Sequence, residues 1–262
     1  MAKSAWLIVV VAGIGWSAAA GELEKQVSRT VPLAADGRLI VETEKGSLRV
    51  SGWDRPEVEI RARIEDQSYF LRDSEAVHET DVRIDASPGS VRVKSDYSRL
   101  RGRGWGVFGL FSFVIESPAV HYTIRMPRTA KLKIKDYRSQ TEVWDLKSDL
   151  EMETYRGSVE AHGLEGAIQF KSYRGQARFK LAGLTRNSRL ETYRGDITLA
   201  LPRDGGFSLE TELGRHAGLS SDFQIPTRIH SRYRKDYRGA VNGGGPSLLV
   251  KSERGTVRLR RS

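Results

Sequence analysis

The tripeptide Tyr-Arg-Gly recurs at nearly constant spacing, and its side chains have the chemistry of a binding site. Copies begin at Tyr155, Tyr173 and Tyr193, and a related Tyr-Arg-Ser begins at Tyr137, so the intervals are 18, 18 and 20 residues. Phenol rings can stack on sugar rings, and guanidinium groups bind carboxylates and phosphates. The sequence therefore predicts a binding strip formed by Tyr137, Arg138, Tyr155, Arg156, Tyr173, Arg174, Tyr193 and Arg194.

The same tripeptide also has a purely structural interpretation. Each tyrosine could cover a corner of the chain, while each arginine pairs with a neighbouring glutamate or a carbonyl group. The sequence leaves both interpretations open.

A second candidate surface lies in residues 97–120, where basic and aromatic residues alternate with four glycines. This composition is typical of an insertion that contacts a membrane surface or a hydrophobic partner. The alternative is a loop or longer hairpin that packs back onto its own core. The residues predicted to make the contact are Arg101, Arg103, Trp105, Phe108, Phe111 and Phe113.

Catalytic and metal-binding patterns are weak throughout the chain. There are no cysteines, and the five histidines lack the spacing of metal ligands. No nucleophile elbow of the G-x-S-x-G type occurs. We therefore predict no catalytic residue, no metal and no cofactor. A lyase or hydrolase acting on polysaccharides is kept as an alternative, and it would need carboxylates that converge on one groove.

The segments that position these side chains are short strands. Apolar residues occupy every second position in stretches such as "EVEIRARI", "KLKIKD" and "DITLAL", which predicts an all-β chain. Within the repeats, the position four residues after each tyrosine is small or apolar, and so is the position six residues after it. The glycine after Tyr-Arg fits a corner where a Cβ atom has no room.

Aligning the copies predicts a β-solenoid, or β-helix-like fold, of short stacked strands with roughly 18–20 residues per coil. A β-sandwich is the competing fold. The residue two positions before each tyrosine alternates in charge through Lys135, Glu153, Lys171 and Glu191, as expected for neighbouring strands. We predict a single solenoid domain over residues 21–262, with residues 97–120 inserted and the C-terminal "KSERGTVRLRRS" as its terminal cap.

Residues 1–20 differ from the rest of the chain and predict export. Lys3 precedes an apolar run that ends in Ser17-Ala18-Ala19-Ala20, the pattern of a signal peptide cleaved near Ala20. An uncleaved anchor is the alternative. The predicted location is the periplasm or the cell surface. The net charge of +10 favours an anionic glycan, lipid headgroups or an envelope protein as partner. Because export would take the protein out of the cytoplasm, nucleic acid is not expected as a partner.

The block from Val120 to Gly175 resembles the bacterial domain family known as "putative adhesin". Tyr122, Ile124, Met126 and Pro127 match the family's "Y-x-I-x-V-P" block, and the glycines of the repeats match the segment that follows. The resemblance covers most of residues 30–260 and implies an exported, β-helix-like domain without catalytic residues.

Three functions are therefore open for the chain. The first is a non-enzymatic envelope or surface protein that acts as an adhesin-like binding scaffold. The second is the polysaccharide-processing enzyme, and the third is a self-assembling structural spacer whose terminal edge pairs with another copy. The sequence leaves the oligomeric state undetermined.

Overall fold

The structure is a computed structural model that describes residues 24–66, 74–100, 117–225, 228–230 and 235–262. The predicted signal peptide at 1–20 and the predicted contact residues between Arg101 and Phe113 lie outside these ranges. The described elements are β1 (Glu24–Pro32), β2 (Arg38–Trp53), β3 (Glu57–Glu65), α1 (Ser74–Glu79), β4 (Asp81–Ser87), β5 (Ser90–Asp96), β6 (Ala119–Pro127), β7 (Lys131–Trp144), β8 (Leu150–Thr154), β9 (Ser158–Leu164), β10 (Ile168–Arg174), β11 (Ala177–Leu181), β12 (Ser188–Arg194), β13 (Ile197–Leu201), β14 (Phe207–Ser221), β15 (Arg228–His230), β16 (Lys235–Val241) and β17 (Ser247–Arg261).

The strands form where apolar and polar residues alternate, and this confirms the prediction of an all-β chain. In β10, Ile168, Phe170 and Ser172 are buried, while the residues between them are exposed. The ring of Phe170 meets that of Phe179 on β11 edge to face, with centroids 5.2 Å apart. Burial of these side chains removes apolar surface from water, which is the main favourable term in folding. Interior positions predicted from the repeats, such as Val159, Phe179 and Leu199, are also buried in the core.

The prediction of a β-solenoid is wrong, because the parallel strands close into a barrel. Eight strands form a ring of parallel pairs in the order β7, β8, β10, β12, β17, β13, β11, β9 and back to β7. The remaining described strands lie outside this ring. A solenoid would instead consist of separate short strands on successive coils.

The closure depends on the two long strands β7 and β17. The first half of β7 pairs with β8 and its second half pairs with β9. Likewise, the first half of β17 pairs with β12 and its second half pairs with β13. Each long strand therefore joins both sides of the hydrogen-bonded network. Strand alternation in the sequence predicts the strands but says nothing about a strand that bends and serves two neighbours.

Strand order also differs from chain order at both ends of the barrel. β2 pairs with β7 from outside the ring and carries β5 and β6 on its other edge. The C-terminal strand β17 lies between β12 and β14, so its predicted role as a terminal cap is wrong. Antiparallel strands complete the two ends, with β1, β3 and β4 at one end and β16 at the other.

Glycine is required at the corners that follow Tyr173-Arg174 and Tyr193-Arg194. Gly175 and Gly195 have φ values of 144° and 137°, which side chains rarely adopt. A Cβ atom on Gly195 would lie 1.7 Å from the carbonyl oxygen of Gly175, and one on Gly175 would lie 2.0 Å from that of Gly157. The predicted reason for these glycines is therefore confirmed.

Helix is scarce in the described ranges. The helix α1 has 6 residues, and no helix there has the length and apolar character needed to cross a membrane.

Candidate binding surface

The tyrosines of the four Tyr-Arg copies lie in one row, which confirms that the copies align. The ring centroids of Tyr137 and Tyr155 are 5.0 Å apart, those of Tyr155 and Tyr173 are 4.8 Å apart, and those of Tyr173 and Tyr193 are 5.1 Å apart. The distances match the spacing of neighbouring strands. We call Tyr137, Tyr155, Tyr173 and Tyr193 the tyrosine row.

Stacking within the tyrosine row decides which parts of the rings can meet a ligand. Neighbouring rings are nearly parallel, with interplanar angles of 4–8°. Both faces of Tyr155 and Tyr173 are therefore covered by neighbouring tyrosines. All four residues remain exposed, at 36–51%. The row accordingly presents ring edges and hydroxyl groups, whereas stacking on sugar rings would be confined to the outer faces of Tyr137 and Tyr193.

The arginines that follow these tyrosines form a second row, and the strand register extends it. Lys45 on β2 lies opposite Arg138, and Arg194 lies opposite both Arg174 and Arg254. The Arg156 amide donates to the Tyr137 carbonyl, which places Arg156 beside Arg138. The members of this cationic row are Lys45, Arg138, Arg156, Arg174, Arg194 and Arg254.

The last three arginines of the cationic row are not neutralised by carboxylates of the described chain. Arg174, Arg194 and Arg254 are exposed and make no side-chain ion pair with a described residue. The guanidinium carbon of Arg156 lies 5.4 Å from the centroid of the Tyr155 ring, a cation–π contact. At Arg174, Arg194 and Arg254, pairing with a described glutamate, which is one of the two partners in the structural interpretation, is therefore not seen.

A further Tyr-Arg-Gly tripeptide, at residues 237–239, does not join these rows. It lies in β16, which is antiparallel to β14, and Arg238 forms an ion pair with Glu210. The presence of Tyr-Arg-Gly in the sequence is therefore not enough to predict a corner between two strands.

Beneath the exposed rows, a row of buried polar residues lies next to the corner. It contains Thr43, Asp136, Thr154, Ser172, Thr192 and Ser252, which are opposite one another in the strand register. The Thr154 hydroxyl donates to Asp136 Oδ2 over 2.7 Å and accepts from the Gly157 amide over 2.9 Å. The Ser139 amide also donates to Asp136 Oδ2, over 3.1 Å. These bonds fix the two turns that place Tyr137-Arg138 and Tyr155-Arg156 outside.

A fourth row, on the far side of the tyrosines, alternates in charge at every strand. The four predicted positions, Lys135, Glu153, Lys171 and Glu191, are neighbours in the register, which confirms the predicted pairing. The structure extends the alternation over eight strands. In spatial order, this alternating row is Lys94, Glu42, Lys135, Glu153, Lys171, Glu191, Lys251 and Glu212.

Two grooves run along these rows. The tyrosine groove, of about 690 Å³, is bordered by the tyrosine row and the alternating row. The arginine groove, of about 660 Å³, is lined by Lys45, Arg138 and Arg156 together with serine and glutamine residues. The predicted Tyr-Arg strip is therefore divided at two of its copies, because Tyr137 and Tyr155 line the tyrosine groove while Arg138 and Arg156 line the arginine groove.

The sequence contains more of this surface than the tyrosine repeats alone indicate. "ETEKGS" and "KSERGT" carry the same register as the Tyr-Arg copies, but glutamate stands in each at the tyrosine position, as Glu44 and Glu253. A motif defined by tyrosine therefore misses Lys45 and Arg254. Lys94 and Glu212 had no local signal, because β5 and β14 join the surface only through long-range pairing.

His121 lines the arginine groove and contacts a carboxylate. Its Nε2 lies 2.9 Å from Glu65, and its Nδ1 lies 2.8 Å from the Ser47 hydroxyl. Within the described ranges, no three His, Asp or Glu side chains lie close enough together to hold a metal ion.

Comparison with known proteins gives a likeness of fold. No family model matches the sequence, and no curated protein matches it. A structure called a "putative cell adhesion protein", from Clostridium sporogenes, matches with a TM-score of 0.51 and 11% identity, over 91% of this chain and 100% of that one. A "putative adhesin" from Bacteroides fragilis matches with a TM-score of 0.38 and 11% identity, over 91% and 97%. One from Parabacteroides distasonis has a TM-score of 0.37 and 10% identity, over 91% and 98%. The name of the structure with a TM-score of 0.51, a cell adhesion protein, is consistent with the adhesin family that the sequence resembles.

Proposed function

We propose that the chain is a non-enzymatic protein of the cell envelope or cell surface that binds a linear acidic glycan along its cationic row. The observation that carries this proposal is the row itself, in which six cationic side chains follow one another at the spacing of neighbouring strands. Like charges at this spacing repel one another, and an external anion relieves the repulsion.

The shape of the row favours a polymer over a single small anion. Its six members span five steps of about 4.8 Å each, or about 24 Å. A glycan with a carboxylate on each sugar could contact several arginines at once, and each guanidinium can bind a carboxylate through two hydrogen bonds. Binding at several points raises the total affinity without requiring a deep pocket.

Other properties of the chain support the same proposal. The net charge of +10 attracts anionic partners over a range set by ionic strength. The adhesin names of the similar structures agree with a binding role, and the signal-peptide pattern at residues 1–20 agrees with export. The sequence alternatives of lipid headgroups and an envelope protein would use the same cations, but a single line of cations about 24 Å long matches an extended polymer better than a flat membrane.

The enzyme alternative has less support from the described side chains. Lyases and hydrolases need acidic groups that act together on one bond. In the tyrosine groove, a lysine stands between successive glutamates of the alternating row. In the cationic row, Arg174, Arg194 and Arg254 form no ion pair with a described carboxylate that could act beside them as an acid.

The proposal is tested by replacing Arg156, Arg174 and Arg194 together with glutamine. We expect affinity for polygalacturonate to fall by about tenfold or more, equivalent to at least about 1.4 kcal/mol. Binding should be measured by titration calorimetry at low and high salt, and it should weaken with salt. The matched control replaces three other exposed cations, Arg29, Lys180 and Arg203, and so removes the same charge from other surfaces.

Two results would contradict the proposal. Equal losses in the two triple variants would show that net charge alone attracts the polymer. Binding to phosphatidylglycerol vesicles without binding to polygalacturonate would identify a membrane surface as the partner instead.

A further inference from the structure

The alternating row has a symmetry that the cationic row lacks. Its eight residues read Lys, Glu, Lys, Glu, Lys, Glu, Lys, Glu across eight strands. When a row has an even number of strictly alternating charges, its two ends carry opposite charges. If a second copy of the row is reversed and laid against the first, every lysine therefore meets a glutamate. A two-fold axis parallel to the strands, passing between Glu153 and Lys171, would bring every lysine opposite a glutamate.

We propose that this face pairs with a second copy of the chain through that two-fold axis. Such an interface is isologous, so each contact occurs twice. The inference concerns the alternating row and does not rest on glycan binding by the cationic row. The expected contacts join Lys94 to the partner's Glu212, Glu42 to the partner's Lys251, Lys135 to the partner's Glu191, and Glu153 to the partner's Lys171.

The tyrosine row has the same centre of symmetry. Its four rings occupy the four central strands, so the midpoint between Tyr155 and Tyr173 coincides in register with the midpoint between Glu153 and Lys171. The same axis would bring Tyr155 opposite the partner's Tyr173. Tyrosine supplies contact area at a low cost in side-chain entropy and is enriched at interfaces. The cationic row lies beyond the tyrosines, along the other groove, and so falls at the rim of the contact.

The charges at the centre of the alternating row are available for such a contact. Lys135, Glu153 and Lys171 are exposed and form no side-chain ion pair with a described residue. Among neighbours within the row, Lys251 and Glu212 do form an ion pair, at 2.6 Å. Glu42 and Glu191 pair with Arg92 and Arg189 outside the row, so the three central charges are the ones left for a contact.

The spacing distinguishes a second copy from an extended peptide. Like charges in the alternating row recur every two strands, or about 9.6 Å, whereas alternate side chains of a β-strand recur at about 6.8 Å. A peptide lying along the row would therefore lose register, but a second row has the same period throughout. The row is about 34 Å long and narrow. This implies a weak interface held mainly by charges that salt screens.

Two charge reversals test the pairing. In Lys135→Glu, residue 135 would meet the partner's Glu191, and in Glu191→Lys, residue 191 would meet the partner's Lys135, so each variant has two repulsive contacts. We expect the dimer dissociation constant of each to rise by about tenfold or more. Mixing the two variants should restore dimers with about the wild-type constant, because every contact in the mixed pair is again complementary. Sedimentation velocity at low salt measures all four samples.

The control is Lys180→Glu, which makes the same charge change on β11, away from this face, and should leave the constant unchanged. Circular dichroism establishes that each variant folds. The proposal would be overturned by a wild-type chain that stays monomeric at low salt up to about 1 mM. It would equally be overturned if the single variants dimerise as the wild type does, or if mixing fails to restore dimers.

Discussion

The cationic row and the alternating row occupy the same strands at the same spacing, yet their electrostatics are opposite. Inside the cationic row each side chain has neighbours of its own charge, whereas inside the alternating row each has neighbours of the other charge. Parallel, in-register pairing forces equivalent residues together and therefore amplifies whatever the sequence places at one position. A row of cations attracts an anionic partner. A row of alternating charges attracts its own neighbours, and it is also complementary to a second copy of itself.

The largest loss of stability should come from a change at the corner that follows the cationic row, where the chain turns into the next strand. Replacing Gly195 with alanine places a Cβ atom against the Gly175 carbonyl, at a backbone φ of 137°. We expect the free energy of unfolding to fall by about 2–3 kcal/mol, the usual range for strain at such a residue. Urea denaturation followed by circular dichroism measures the change.

Gly183→Ala is the matched control for this variant. A Cβ atom at Gly183 meets nothing within 4 Å. The free energy of unfolding should therefore stay within about 0.5 kcal/mol of the wild-type value. A loss at Gly183 equal to that at Gly195 would show that the corner has no special requirement for glycine.

The sequence predicted the local features of the fold and the alignment of its repeats. The repeats identified Val159, Ala177 and Ile197 as interior positions, and all three are buried. The Tyr-Arg copies aligned as expected because strands of equal register place equivalent residues side by side. These predictions succeeded because each depends on residues close together in the chain.

The closure of the barrel could not be predicted in the same way. Nothing in "KLKIKDYRSQTEVW" distinguishes a strand that pairs with two neighbours from two short strands separated by a corner. The insertion of β17 between β12 and β14 is likewise a long-range pairing. In the binding surface, the division of tyrosines and arginines between two grooves follows from which side of the corner each residue occupies, and composition does not encode it.

Removing one charge from each row should change the free energy of unfolding by a smaller amount, and in opposite directions for the two rows. Arg174 lies between cations in the cationic row, and Lys171 lies between glutamates in the alternating row. Arg174→Gln should raise the free energy of unfolding, because it removes repulsion, whereas Lys171→Gln should lower it, because it removes attraction. Each change should be roughly 0.2–1 kcal/mol at low salt, the range for exposed charge pairs. Thermal denaturation of both variants in parallel measures the two signs.

Salt provides the internal control for this pair of variants. At an ionic strength of about 1 M the screening length is about 3 Å, so both differences should shrink towards zero. Changes of the same sign, or changes that persist in salt, would mean that packing of the long side chains outweighs their charges.

The smallest effect concerns acid stability just past the corner. Asp196 follows Gly195 and accepts hydrogen bonds from the Thr256 amide at 2.8 Å and from Arg258 at 2.7 Å. Burial raises the pKa of Asp196, but these bonds and the charge of Arg258 outweigh it, so the pKa lies below its usual value. The stability that this carboxylate contributes should therefore be complete above about pH 4 and be lost as the pH falls through the lowered pKa.

Asp196→Asn should remove that part of the acid dependence. We expect the variant to be less stable than the wild type at about pH 6, with the difference narrowing towards about pH 2, because the wild-type carboxyl is then protonated too. Urea denaturation at a series of pH values measures the difference. Neither row contains Asp196. The opposite effects of Arg174→Gln and Lys171→Gln on stability at neutral pH should therefore be the same when each is combined with Asp196→Asn. If Asp196→Asn abolished them, the two rows would not be electrostatically independent of the backbone corner that supports them.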